Sequence, residues 1–447
     1  MRIRRLTLTV ILILVFSLEY IQIVSSGGPL LPLDEPTVEM FRGGKQYAFM
    51  FSWDDGGDDL LFSFLEDELG FRHTTFAITS FIQNRKLWGL DMLFRGHDIQ
   101  SHSRNHVHHA SINASYCEYL LQKSIDDIEN VYGYTPILFA YPYGSKNKAA
   151  MSLVQKYFKI GRGIEYESMN EIGSWPIERT DSAPHSFPSV HGVQGSTISS
   201  LISSFNKMVS YDDDIHRAYK CYGHSKWFNE SERYEFFEAL KEIAFRNDTW
   251  YTSWGEAVAY QIQRNNVRIS RYLSTNSTIS FVTSIERDFE YGIPITYRVE
   301  VPSSWSEVSV FDGEKISDRY FAIEEDSRKY LLIDSAPIGQ TIKVIPIRTE
   351  DTSNPVIENL RILATDEGIA FIADVYDKES LIRDVNMTIR GYGEVYQFHR
   401  VSNPVFWANS TYGRVVFKLQ PGCYTCTVTA LDSNGNRASL SRCIELA

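Results

Sequence analysis

Two polar clusters carry residues suited to hydrolytic chemistry. FSWDDGG, residues 51–57, ends an apolar run with adjacent carboxylates, Asp54 and Asp55. GHDIQSHSRNHVHH, residues 96–109, is dense in histidine. His102 and His106 stand four apart, so one helical turn would bring both imidazoles onto one face, ready to share a cation. A carboxylate completes a two-His, one-Asp set, which leaves coordination positions open for water and substrate. Neighbours along a strand point to opposite sides, so the two aspartates need different roles. One can bind metal while the other acts as a base. FAYPYG, 139–144, and CYGHSK, 221–226, each follow an apolar run with a turn or a histidine. His224 is there a candidate acid. A His-x-x-x-His run alone is as often a solvated surface run as a site, and a lone histidine is by default structurally satisfied. The aspartate pair ending an earlier strand is what turns the reading towards a site.

The elements around these clusters alternate between strands and helices. YAFMFSW (47–53) reads as a buried strand, DDLLFSFLEDEL (58–69) as a helix stopped by Gly70, and TTFAIT (74–79) as a strand. Cys117, Leu121, Ile125, Ile128 and Val131 mark one face of a helix that Gly133 and Pro136 end. ILFAY (137–141) and AYKCYG (218–223) read as strands, and 230–245 as a helix. This alternation over 45–262 indicates a largely parallel α/β sheet or barrel. Residues at the carboxyl ends of such strands face the ligand crevice.

Beyond Gln261 the periodicity changes to two. TISFVTSI, ITYRVEV, YLLIDS, TIKVIPI, IAFIADVY, GRVVFKL and CYTCTVTAL are separated by turn residues. They read as two all-β, sandwich-like modules, 263–350 and 352–447, the second Ig-like or fibronectin-like, with TEDTSNP (349–355) as the joint. Neither module is expected to contain a His/Asp/Glu cluster that suggests chemistry. At the other end, Arg2, Arg4 and Arg5 precede an apolar run to Leu18 and a small-residue segment around Ser26. That is the pattern of an export signal over residues 1–26, with an uncleaved anchor as the alternative. Residues 27–44 read as a Gly/Pro-rich linker. Asn-x-Ser/Thr sequons at Asn113, Asn229, Asn247, Asn276, Asn386 and Asn409 fit a secreted or cell-surface glycoprotein.

The four polar elements, in this order, resemble the polysaccharide deacetylase (NodB-homology) family, carbohydrate esterase family 4, over residues 45–262. Asp54-Asp55-Gly56 resembles the family's Asp-Asp-Gly motif. GHDIQSHSRNH resembles its histidine motif, FAYPYG its Pro-Tyr-Gly turn, His224 its last catalytic histidine, and YTSWGEAVAY (251–260) its closing segment. The resemblance implies a distorted (β/α) barrel, usually with fewer than eight strands. It implies that Asp54 is the general base and that Asp55, His102 and His106 hold one divalent ion, most often zinc. It also implies that the backbone N–H of Tyr143 stabilises the oxyanion and that His224 protonates the leaving amine. The expected reaction is removal of N-acetyl groups from amino sugars of an extracellular polysaccharide or glycan. One departure concerns the family's arginine that orients the base: its place is taken by Ala140. Arg179, in WPIERTD, is a candidate replacement, with a surface ion pair to Glu178 or Asp181 as the competing role; Asp181 is a candidate partner for His224. Trp53 replaces a more usual Phe and should alter packing only. His97 is expected to be a structural hydrogen-bonding residue, and His108 and His109 to be solvated. The competing functional readings are a silent carbohydrate-binding surface protein and an amidohydrolase acting on a small non-sugar amide.

Composition narrows the partners. The chain has 447 residues, 43% hydrophobic, with a formal net charge of −12, which excludes a disordered chain and disfavours a phosphate-backbone partner such as nucleic acid. The β modules are expected to serve as spacers, polymer binders or attachment to the cell surface. Of five cysteines, Cys117 and Cys221 read as buried thiols. An Asn434-Gly435 two-residue turn would pair Ser433 with Asn436 and place Cys426 opposite Cys443, close enough for a disulfide. Cys423 is the alternative partner.

Overall fold

The computed structural model describes residues 33–164, 191–193, 198–211, 215–285, 293–347, 349, 351–365, 368–400, 411–417, 419 and 421–446. The segment read as an export signal, Arg179 and Asp181 lie outside the described residues. The α/β part is organised on strand β1, Tyr47–Asp55, in which all nine residues are buried. Such a strand needs apolar neighbours on both faces, which is why it reads as a continuous rather than an alternating apolar run. It is followed by helix α1 (Asp59–Glu68), β2 (His73–Ala77), α2 (Lys86–Phe94), β3 (Asp98–Ser101), α3 (Ala114–Tyr132), β4 (Leu138–Ala140), α4 (Lys148–Tyr157) and β5 (Ile160–Arg162). Beyond these lie β6 (His191–Val193), α5 (Ile198–Val209), β7 (Arg217–Gly223), α6 (Glu230–Ile243), β8 (Thr249–Thr252) and α7 (Trp254–Asn266). The sheet order is β5-β4-β3-β2-β1-β7-β6, every pairing is parallel, and the curled sheet stays open between β5 and β6 among the described residues. β1 pairs β7 along one side; the other side pairs β8 at residues 47–50 and β2 at residues 51–55.

Local signals fix the helix ends. Asn113 caps α3 by accepting the Tyr116 N–H at 2.8 Å, and Gly133, at φ 82°, ends it in the left-handed region where glycine has no Cβ to clash. Asn229 and Glu232 form a reciprocal capping box on α6. Trp53 lies fully buried against Phe51 and Phe62, and its indole N–H donates to Glu66 Oε1 at 3.1 Å.

The remainder is antiparallel β-structure in four small sheets. One pair of sheets spans Arg268–Ser274 to Thr341–Ile345, and the second spans Val356–Thr365 to Arg437–Leu446. Residues 37–44, within the segment read as a linker, are docked. Thr37 and Val38 pair with Arg298 and Tyr297, Phe41 is buried against Trp250, and Arg42 reaches Glu256 of α7 at 2.7 Å and Asp334 at 3.0 Å. One continuous apolar core joins Trp254, Val258 and Tyr260 of α7 to Phe281, Ile295 and Tyr297 of the first β module.

The expected Cys426–Cys443 disulfide is not formed: all five cysteines are free thiols. The hairpin has a wider turn than the two-residue one expected. Leu431 faces Arg437, and Asp432 N–H donates to the Asn436 carbonyl at 3.1 Å, with Gly435 at φ 94°. The Asp432 carboxylate holds the wider turn by accepting from the Asn434 and Asn436 N–H groups. The register therefore moves by one residue, Cys443 faces Thr425, and Cys426 turns into the core on the opposite face. Cys117 and Cys221 are buried thiols, as expected.

His97 is buried and accepts the His73 N–H on its Nδ1 at 3.1 Å, which confirms a structural role. Burial, followed by the neighbouring His73, lowers its pKa to about 4. A histidine depressed in the folded state contributes stability that is complete above its ordinary value near 6.5 and is lost as pH falls through about 4. Calorimetric melting between pH 7 and pH 4 should thus show falling stability, with a shallower decline in His97→Gln; identical pH profiles would exclude His97 as the titrating group.

Candidate functional site

The site lies at the carboxyl ends of β1, β3, β4, β5 and β7. At Asp55 the backbone of β1 enters the left-handed region, φ 77°, as does Gly56 at φ 76°. This breaks strand alternation, so Asp54 and Asp55 serve different neighbours without facing opposite sides of a regular strand.

His102 and His106 do come together, though by another device than the helical turn expected. Residues 102–108 form a loop with Ser103 at φ 67° and His106 at φ 53°, and the two ring centroids are 4.8 Å apart. Backbone bonds pin the loop: His102 N–H donates to Ala77 O, and Thr79 and Ser80 N–H donate to Ser103 O and Arg104 O. His102 Nδ1 bonds the Ala140 carbonyl at 2.9 Å. A carbonyl only accepts, so Nδ1 carries the proton and Nε2 presents a lone pair. That Nε2 is 3.6 Å from Asp55 Oδ1, and His106 Nε2 is 3.2 Å from the same oxygen.

This arrangement fits a cation. Asp55 Oδ1 is buried and has no hydrogen-bond donor, while Oδ2 accepts from Lys226 Nζ at 2.6 Å. Burial lowers the pKa of His102 to about 4 and moves His106 in the same direction, so both rings are neutral ligands at pH 7. Burial acts to raise the Asp55 carboxyl, but Lys226, His102 and His106 together hold it below its ordinary range. Two neutral imidazoles and a carboxylate oxygen thus converge with no proton between them, a donor set suited to a divalent ion such as zinc.

Asp54 is 3% exposed and is gripped by Arg162, whose Nη2 lies 2.5 and 2.6 Å from its two oxygens. Arg162, at the end of β5, is the positive charge missing from the Pro-Tyr-Gly motif. It is the direct sheet partner of Ala140, so the guanidinium arrives at the same level from the adjacent strand. Its Cζ lies over the rings of Phe76 (4.9 Å) and Tyr222 (4.8 Å). Arg162 and Lys226 were not anticipated from the sequence. The available signals were a basic residue closing the short apolar run FKIGR and another directly after His224.

His224 follows β7 and stacks on Trp227 at 3.6 Å. Burial lowers its pKa, opposed by Asp54 and then Asp55, so it sits within electrostatic reach of both. Tyr143, at φ 58° in the single turn Pro142–Gly144, is 56% exposed, stacks on His108 at 4.1 Å and meets the His106 ring at a tilt, 4.4 Å away. His108 is exposed, as expected, but His109 is buried. Its Nδ1 bonds the Val107 carbonyl and its ring packs edge-on to Phe139, because the chain turns inward into a short 3-10 segment there.

The site thus lies at the rim of the curled parallel sheet of the α/β domain. Residues 43–158 match the family model for polysaccharide deacetylases. Over those residues the α/β domain carries a polysaccharide deacetylase segment, and the protein is an enzyme. Among solved structures, the chain is similar to the peptidoglycan deacetylase PdaC from Bacillus subtilis, at 15% identity and TM-score 0.31, covering 48% of this chain and 90% of that one. It is similar to the Xyl-CE4 domain of a multidomain xylanase from the hindgut metagenome of Trinervitermes trinervoides, at 13% identity and TM-score 0.32, covering 47% and 88%. It is also similar to Puue allantoinase, at 12% identity and TM-score 0.39, covering 51% and 96%. Among curated proteins, none matches this chain.

Two variant sets test the geometry. Asp54→Asn should keep the bound ion but lose activity by about 10²–10⁴-fold, as expected for an acid–base group. Asp55→Asn and His106→Ala should lose the ion itself, read as divalent metal per chain by elemental analysis; the opposite pattern would reverse the roles of the two aspartates. Arg162→Ala leaves a buried carboxylate unpaired and should cost roughly 3–5 kcal/mol of stability, with partial recovery in the Asp54→Asn/Arg162→Ala double variant. Equal melting of Arg162→Ala and the unaltered chain would show that the pair does not support the fold.

Proposed function

We propose that the protein removes N-acetyl groups from amino sugars of an extracellular polysaccharide or glycan, using one divalent ion, zinc by preference. The observation that carries this reading is the meeting of Asp55, His102 and His106 around a buried, unpartnered carboxylate oxygen, beside the arginine-held Asp54. A divalent ion held there would polarise the acyl carbonyl and acidify water.

The protein's own groups account for the proton traffic. Asp54, fixed by Arg162, accepts the proton of the attacking water. The Tyr143 N–H donates to the carbonyl oxygen as it gains negative charge. His224 delivers a proton to the nitrogen as the C–N bond breaks, because an unprotonated amine leaves poorly. Water adds across the acetamide, giving acetate and a free amino sugar. The exposed rings of Tyr143 and Trp227 flank these groups and offer faces on which a sugar can stack. The export signal and the sequons support action outside the cell, with the β modules as spacers, polymer binders or surface attachment.

Acetate release from the purified full chain is the direct test. N-acetylglucosamine oligomers should yield acetate and free amine in equal amounts, and release should stop on chelation and return with zinc. Release only from acetylated xylan would make the target an O-acetyl ester. Release only from simple amides would favour a small-amide hydrolase, and no release from any substrate would favour a silent binding protein.

A further inference from the structure

The second β module gathers three acidic residues that are far apart in the chain. Asp351 lies in the segment joining the two β modules, Asp377 follows the strand Gly368–Tyr376, and Asp432 ends the strand Gly422–Asp432. They are 4%, 1% and 0% exposed, and one carboxylate oxygen from each lies within 4.8 Å of the others. Among the described residues no lysine, arginine or histidine pairs with any of them.

Asp351 and Asp377 are hydrogen-bonded on one oxygen each, Asp432 on both. Asp351 Oδ1 accepts from the Ser353 N–H at 2.8 Å, and Asp377 Oδ1 accepts from the Glu379 and Ser380 N–H groups at 2.8 and 3.0 Å. Ser353 Oγ lies 2.8 Å from Asp351 Oδ1 and 3.0 Å from Asp377 Oδ1. Asp432 Oδ1 takes the Asn434 and Asn436 N–H groups, and Oδ2 takes Asn436 Nδ2. Asp351 Oδ2, Asp377 Oδ2 and the Ser380 hydroxyl are buried without a hydrogen bond of ordinary geometry. Ser380 and Glu379 lie beside Asp351, and the contact with Asp351 raises the Glu379 carboxyl, so a fourth acidic group borders the cluster. The fold thus spends backbone donors on one oxygen of each of these carboxylates and leaves the other oxygens of Asp351 and Asp377 buried without such a bond. Carboxylates drawn from water this close together repel one another unless a proton or a cation lies between them.

We infer that Asp351, Asp377 and Asp432 form a calcium site at the joint between the two β modules. The donors are all oxygen, with no imidazole or thiolate, which selects a hard cation over zinc or copper. Several carboxylates supplemented by a hydroxyl suit the larger, more adaptable calcium shell better than magnesium, which keeps most of its water. The ion ties the inter-module segment to two loops of the second module. Next to it, Ile316 N–H donates to Glu379 O and Leu381 N–H to Ile316 O, which links that loop to the first β module. The site is separate from the Asp55 centre and rests on none of its chemistry.

The test uses the full chain, stripped with chelator and titrated with calcium by calorimetry. His106→Ala serves as the background that disables the centre in the α/β domain. One calcium per chain should bind in both proteins and raise the melting temperature. Asp377→Asn keeps an amide oxygen for the Glu379 and Ser380 N–H groups, and should weaken calcium binding at least tenfold while activity in calcium-free buffer stays at the unaltered level. Asp351→Asn should do the same. No binding by the unaltered chain, equal binding by Asp377→Asn, or loss of calcium in His106→Ala would each overturn the assignment. If both aspartate variants fail to fold, calcium stoichiometry in His106→Ala decides. A melting temperature that rises with acid and ignores calcium would show that protons hold the cluster.

Discussion

Everything at the catalytic rim depends on β1 being buried along its whole length. A nine-residue strand with no solvent face must be flanked in the sheet and covered on both sides, and here β7 runs along one edge while β2 and β8 share the other. The end of that strand is consequently the most constrained point of the domain. The left-handed step at Asp55 places two charged groups there, which a buried position tolerates only if each is compensated. Arg162 compensates Asp54. Lys226 and the two imidazoles surround Asp55 but leave one oxygen for a cation. The polarity of the site is thus a consequence of where the strand stops.

The Asp54–Arg162 pair shows how position can be retained while sequence context is not. The charge is displaced from the residue after Phe139 to the residue across the sheet, a lateral step between adjacent parallel strands. Parallel strands hold equivalent residues at equivalent heights, so such a step preserves the direction of approach to Asp54. The aromatic rings of Phe76 and Tyr222 then replace solvent around the guanidinium.

The parts legible in the sequence were those with local periodicity or local composition. Buried strands, glycine-stopped helices, the aspartate pair and the histidine run are all contiguous, and the two polar clusters lie at the strand ends expected for them. Contacts set by pairing between distant segments were not legible. Arg162 is 108 positions from Asp54, and nothing in a short run of residues announces that they meet. The His102–His106 spacing pointed to a helix because four-residue spacing is ambiguous, while the loop that forms depends on left-handed residues that carry no glycine. The Asn434-Gly435 turn failed by a single residue because the Asp432 carboxylate ties the turn open. His109 was misread as solvated because its neighbours are polar. The three aspartates of the second β module were invisible as a group, since no two of them share a segment.

The strap at Phe41 and Arg42 has a consequence for how the chain is made. Arg42 is 292 positions from its partner Asp334, and Thr37 and Val38 wait for a strand almost as distant. At roughly 5–20 residues per second, synthesis leaves this N-terminal segment without its partners for on the order of 15–60 s. During that interval the apolar side of α7 is also uncovered, because its neighbours in the first β module emerge after it. The α/β domain therefore cannot close as a finished unit behind the ribosome. Its final assembly is coupled to the arrival of the β module, so a premature stop or a pause within that module would leave the enzyme with an open flank for chaperones or proteases to recognise.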